Sequence, residues 1–238
     1  MAFLKELWGR IELHDDVSLP VVALVASVAG VVMLLPKLWP KTRFWVTYIH
    51  ELGHSATSIA TGGGLRGMKI HKNSGGVAET YRKKGLIGWL SEQLTTYAGY
   101  PFPALVSLIM TVSTNVGFSS ILLLALAVIS TVAILFMRNL RGLGLALLIA
   151  GISGLAFWFT PPEFHAALML LLAGVLIAGG VRSVFELQQK HREGDIEDSD
   201  VAALTRGFKP LEIIVFTSYY LIYLVSAAAS LYFAWALV

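Results

Sequence analysis

The chain contains no cysteine. That excludes disulfides and every thiolate metal site, so any bound metal must be held by His, Asp or Glu. Charge is scarce as well: Asp, Glu, Lys and Arg make up 14% of the 238 residues, against 56% hydrophobic ones and a mean hydropathy of +0.71. A soluble domain carries about 25% charged residues, so this composition points to an integral membrane protein. No repeat of fixed period and no low-complexity tract divides the sequence, and one domain over residues 1–238 is the economical reading. A net charge of +3 would suit nucleic acid, but in a chain this apolar the basic residues set topology instead. No nucleic-acid partner is expected.

What the sequence has in abundance is apolar runs near the 20 or so residues that cross a bilayer. They fall at about 17–35, 44–61, 90–112, 116–136, 142–159, 164–181 and 211–237. The expected fold is an all-α polytopic membrane protein of six to seven transmembrane helices. The first run follows a polar segment with Glu12, His14, Asp15 and Asp16, unlike the basic start of a signal peptide, and is expected to be retained. Of the 18 Lys and Arg residues, only Lys37, Lys41 and Arg43 fall in the loops that would alternate with the rest. Since cations accumulate on the cytoplasmic side, seven crossings predict a cytoplasmic N-terminus. Trp39, Trp45, Trp89 and Trp158 near run ends read as interface anchors.

The second run is the least apolar and the most informative. It holds His50-Glu51-Leu52-Gly53-His54, and two imidazoles four residues apart on a helix point the same way and can share one metal ion. Glu51 then stands beside that metal as a base. Titratable groups at membrane depth are costly and mark function by default. Thr47, Ser55, Thr57 and Ser58 are candidates for lining a water path, or for helix packing. After the run, Gly62-Gly63-Gly64 ends the helix, and residues 65–81 alternate around Asn73-Ser74-Gly75-Gly76, which predicts a small β-hairpin. Its edge would suit an extended peptide. Pro101 and Pro103 should kink or interrupt the third run, either as a packing kink or as irregular backbone bordering the cavity.

A catalytic zinc takes three protein ligands and keeps a fourth position open. Candidates for the third are the acids Asp200, Asp198, Asp195 and Glu212 and the imidazoles of His14, His71, His165 and His191. Ser199-Asp200-Val201 also reads as a capped helix start, and residues 188–200 as a polar linker. Spacing alone leaves the choice open.

The motif in its apolar run, the Thr61-Gly62-Gly63 helix exit and Ala98-Gly99-Tyr100 resemble the site-2 protease family of intramembrane zinc metallopeptidases, and within it the compact bacterial branch without a PDZ domain. Arg138-Asn139, Gly180-Val181-Arg182 and Ser199-Asp200-Val201 ahead of Leu204-Thr205 extend the likeness. The resemblance implies one Zn²⁺ held by His50, His54 and Asp200, with Glu51 as general base. It also implies a membrane-protein or transmembrane-peptide substrate, a cytoplasm-facing site and a place in a bacterial plasma membrane. Many members carry their Asp in a Leu-Asp-Gly setting, which this chain lacks, so Asp200 rests on the Ser-Asp-small pattern. A non-catalytic scaffold of the same fold, or a metal or ion transporter, is the alternative.

Overall fold

The computed structural model describes residues 2–11, 35, 37–194 and 199–236. Among them nine helices and one two-stranded sheet follow in the order α1 (Ala2–Ile11), α2 (Trp39–Ala60), β1 (Gly64–Ile70), β2 (Gly76–Tyr81), α3 (Leu86–Ala98), α4 (Pro101–Asn115), α5 (Ser119–Ile134), α6 (Leu140–Phe159), α7 (Pro162–Glu193), α8 (Asp200–Thr205) and α9 (Lys209–Ala236). The expected helical architecture with a hairpin after the motif helix is present. The run at 17–35 lies outside the described residues except for Leu35, as do His14, Asp195 and Asp198.

Among the described residues, α6, α7 and α9 are long and apolar enough to cross a membrane, and α5 is a shorter apolar helix. Half of the apolar window of α7 is buried, against 28% for α6 and α9, so α7 is the central post and the other two present a broad apolar face outward. Leu147, Leu148, Ile152 and Leu155 on α6 are all exposed, a face suited to lipid rather than water. α7 runs past the expected end at residue 181 to Glu193, which makes Gln188 to Glu193 helical rather than linker.

The third apolar run is two helices. Gly99 and Tyr100 keep helical dihedrals, but Pro101 and Pro103 have no N–H to return to the carbonyls of Tyr97 and Gly99, so the ladder is interrupted. Tyr100 and Pro103 then line the central cavity.

α2 ends where Gly62 takes a left-handed conformation (φ 83°) and the Gly63 N–H reaches back to the Ser58 carbonyl at 2.8 Å. β1 and β2 pair antiparallel from Gly64↔Tyr81 to Ile70↔Gly76. The hairpin lies along α2: Ser58 donates to the Gly64 carbonyl (3.1 Å) at one end, and Thr47 to the Ser74 carbonyl (2.6 Å) at the other. These hydroxyls, with that of Ser55 on the Met68 Sδ (3.3 Å), fasten helix to hairpin; of the four proposed water-path residues Thr47 lines the cavity. The outer edge of β1 is covered by residues 136–138, with Met68 N–H to the Phe136 carbonyl and Arg138 N–H to the Met68 carbonyl, both 2.8 Å. Asn139 completes the join: its Oδ1 caps α6 at the Gly142 N–H (3.0 Å) while its Nδ2 donates to the Ile70 carbonyl (2.8 Å).

Two placements within the molecule differ from the expected arrangement. The hairpin is tied to the N-terminal end of α6 through Asn139, whereas α1 docks at the C-terminal end, where Arg10 donates to the Phe157 carbonyl (3.2 Å) and stacks over Trp158. A 20-residue helix is about 30 Å long, so α1 and the hairpin occupy opposite ends of the molecule instead of one side. Likewise the start of α2, expected opposite the end of α7, sits beside it: Trp39 donates to Glu186 (2.7 Å), and Arg43 pairs with Glu186 (3.2 Å). α2 packs along the hairpin and meets α7 at its own start.

Candidate metal centre

On α2, Arg43, Thr47, His50 and His54 recur at helical spacing and all line a cavity of about 610 Å³. The cavity is closed on its other sides by the hairpin turn, the α3–α4 junction, the last turns of α7 and the start of α8.

His50 and His54 bring their Nε2 atoms to 3.0 Å from each other. Asp200, the first residue of α8, places Oδ2 3.2 Å from the His50 Nε2 and 3.3 Å from the His54 Nε2. His50, His54 and Asp200 form a group able to hold a metal ion. Three lone-pair atoms this close repel unless a proton or a cation sits among them. A tetrahedral ion with ligands at about 2.0–2.1 Å separates those ligands by about 3.3 Å, which matches the three edges, so the donors fit zinc in both type and spacing. Burial alone would raise the Asp200 carboxyl, but hydrogen bonds from both imidazoles and their charge overcome it and hold the group below the usual carboxylate range.

Each group is held from behind. The His54 Nδ1 lies 2.7 Å from the Thr95 carbonyl, so Nδ1 carries the proton and Nε2 is left as the ligand atom. The His50 ring meets Tyr100 edge-on at 4.6 Å. Tyr100 is stacked on Tyr219, and its carbonyl accepts from the Tyr223 hydroxyl at 2.8 Å. Ser199 caps α8 by accepting from the Ala202 N–H (3.1 Å), and Val201, fully buried with Val184, Leu187 and Phe216, anchors that helix from its apolar side.

Glu51 is buried at 3% exposure, lines the same cavity, and its Oε2 has no hydrogen-bond partner. A buried carboxylate oxygen without a donor is costly. A water in the cavity would satisfy it.

Of the other candidates, Glu212 faces His191 at 3.9 Å and takes no part in the His50, His54, Asp200 group. His71 is exposed in the hairpin turn. His165 is a core residue bonded to Ser120 and the Ala156 carbonyl.

Residues 22–237 match the model of the Peptidase M50B-like family. The chain belongs to that family, the site-2 proteases. No curated protein and no solved structure matches it. Site-2 proteases are zinc-dependent, in keeping with the donor set, and membership together with the apolar helices makes the chain a membrane metallopeptidase at family level.

Two glycines that leave room for the site are not marked by ligand residue type. A Cβ on Gly99 would collide with both imidazoles, and one on Gly76 with the Glu51 carboxylate. Gly99 was visible only as part of a family pattern. Gly76 carried no signal beyond its place in a turn.

Proposed function

We propose that the chain is an intramembrane zinc endopeptidase that hydrolyses peptide bonds of membrane-protein substrates. One observation carries the reading: His50, His54 and Asp200 converge on a single point, while the neighbouring buried carboxylate of Glu51 has an unpaired oxygen. Zn²⁺ bound there supplies Lewis acidity, polarising a scissile carbonyl and lowering the pKa of water to about 7.

The chain's own groups do the rest. His50, His54 and Asp200 are the ligands, and Glu51 takes the proton from attacking water and returns it to the leaving amine. The low dielectric around Glu51 strengthens its pull on that proton once water is admitted. β2 has β1 as its one strand partner among the described residues, so its outer edge, lining the cavity through Gly76, Val77, Ala78 and Thr80, can take an extended peptide by strand addition. A substrate helix must unwind first, because its amides are bonded internally.

The cavity lies where the hairpin, with Arg66, Lys69 and Lys72, meets the last turns of α7, with Arg182 and Lys190. By the positive-inside rule that side is cytoplasmic. Among the described residues, α4, α5, α6, α7 and α9 cross in this reading, with α2 lying at the cytoplasmic side. The partners are then a membrane-protein substrate and the bilayer itself.

The test is metal analysis and cleavage by the purified chain, with Glu51→Gln beside it. The variant should keep its metal and lose about 10²–10⁴ in rate. Cleavage at the unmodified rate defeats the role of Glu51, and absence of bound metal in the unmodified protein defeats the reading as a whole.

A further inference from the structure

We propose that His191 is a positioning residue for the metal centre, holding Asp200 in place through the hydroxyl of Ser199. The inference rests on the reading of Asp200 as a metal ligand.

His191 lies near the end of α7, with its side chain 3% exposed and its ring edge-on to Phe216 at 5.4 Å. Its Nε2 is 2.8 Å from the Ser199 Oγ, the same atom that accepts the Ala202 N–H and so starts α8. Ser199 immediately precedes Asp200. α8 is six residues long, far below the length at which a helix sustains itself, so its orientation comes from what holds it. Val201 secures the apolar side, and the contact between His191 and Ser199 secures the polar one.

The surroundings decide the proton positions. The His191 Nδ1 has no hydrogen-bond partner, and the Glu212 Oε2 stands 3.9 Å from it. That is too long for a hydrogen bond, but it places negative charge on the Nδ1 side and favours the proton there. The Nε2 lone pair then accepts the Ser199 hydroxyl, whose oxygen in turn accepts from Ala202. The hydroxyl is thereby locked in one rotamer between α7 and α8. A simple cap needs only the Ala202 N–H, and the buried imidazole adds a tie to a long, packed helix. If that tie is lost, α8 is free to turn about Val201, and a small rotation there carries the Asp200 Oδ2 out of its 3.2 and 3.3 Å contacts.

The experiment measures zinc affinity of the purified full chain in detergent by competition with a chromogenic chelator, together with the visible spectrum of the cobalt-loaded protein. His191→Phe and Ser199→Ala should each weaken zinc binding about 10–100-fold, with the cobalt spectrum of each moving toward that of Asp200→Ala. His191→Gln, which keeps a hydrogen-bonding group near Ser199, should recover most of the affinity. In an Asp200→Ala background, His191→Phe should cost nothing further, since the two act through one ligand. Should His191→Phe fail to fold, Ser199→Ala carries the test alone. Unchanged affinity in both variants, beside a weakened Asp200→Ala, overturns this inference only. So does an equal loss from His191→Phe with and without Asp200, the signature of a general packing defect. Unmodified affinity in Asp200→Ala removes the metal-site reading and this inference with it.

Discussion

The imidazole of His54 is anchored at Nδ1 to the backbone oxygen of Thr95, 2.7 Å away, leaving its Nε2 to face Asp200. A candidate ligand on α2 is thus oriented by the last turn of α3, and the distance between those helices becomes part of the site. Gly99 sets that distance.

Gly99→Ala should therefore disable the centre without unfolding the helix. The residue has ordinary helical dihedrals, so alanine suits the backbone, but its Cβ would meet the rings of both His54 and His50. Zinc affinity should drop about tenfold or more, the scale of disturbed ligand orientation, with the far-ultraviolet circular dichroism unchanged. Titration with a chelator checks it, and unaltered binding would mean the rings have room to move.

Asn139 joins α6 to the hairpin through a cap and a bond to the Ile70 carbonyl. Asn139→Ala should cost about 1–2 kcal/mol of stability, the usual worth of a lost cap, and free the Ile70 end of β1. Asn139→Asp keeps the acceptor and loses the donor, so it should preserve most of the cap. Thermal melts report the first effect, and amide exchange at residues 68–70 reports the loosening in both variants.

Acid should act on the metal-free protein through Asp200. Its carboxyl is held below the usual range in the folded state, so the native state binds fewer protons than the unfolded one and the contribution is fully present above about pH 3.9. It is lost as pH falls further, through the depressed native value. The melting temperature of the metal-free protein should exceed that of Asp200→Asn at neutral pH, and the gap should close only under strongly acidic conditions. Metal retention should fail earlier as pH falls, because protons compete with the ion for the ring nitrogens.

The opposite placement of α1 and the hairpin can be read directly, because the chain has no cysteine of its own. Glu6→Cys and Lys72→Cys, each alone, should label with a membrane-impermeant thiol reagent from opposite faces of sealed vesicles. Labelling from one face would restore the seven-crossing arrangement.

The His-Glu-Leu-Gly-His motif was legible because its pattern is local. His50, Glu51 and His54 share one helix, and helical spacing alone turns both imidazoles the same way. The hairpin was legible for a similar reason, since Asn73-Ser74-Gly75-Gly76 marks a turn whatever surrounds it. The third acid was not, because Asp200, Asp195, Asp198 and Glu212 differ only in which element carries them and where it docks. Family resemblance narrowed that choice; residue spacing did not.

Membrane course is not a local property. Hydropathy and charge state that a segment is apolar and which loops are basic, but neither states whether an apolar segment crosses. Thr47 and Ser58 fasten α2 lengthwise to the hairpin, and Trp39 at its start lies against Glu186. By itself, then, the order of residues determined the composition, the helix-borne donors and the local turns, all consequences of neighbours a few positions apart. Only the tertiary structure decided which acid meets the imidazoles, which glycines make room for them and where α1 lies, because those depend on contacts between residues up to some 150 positions apart, such as Arg10 with Phe157 and His54 with Asp200.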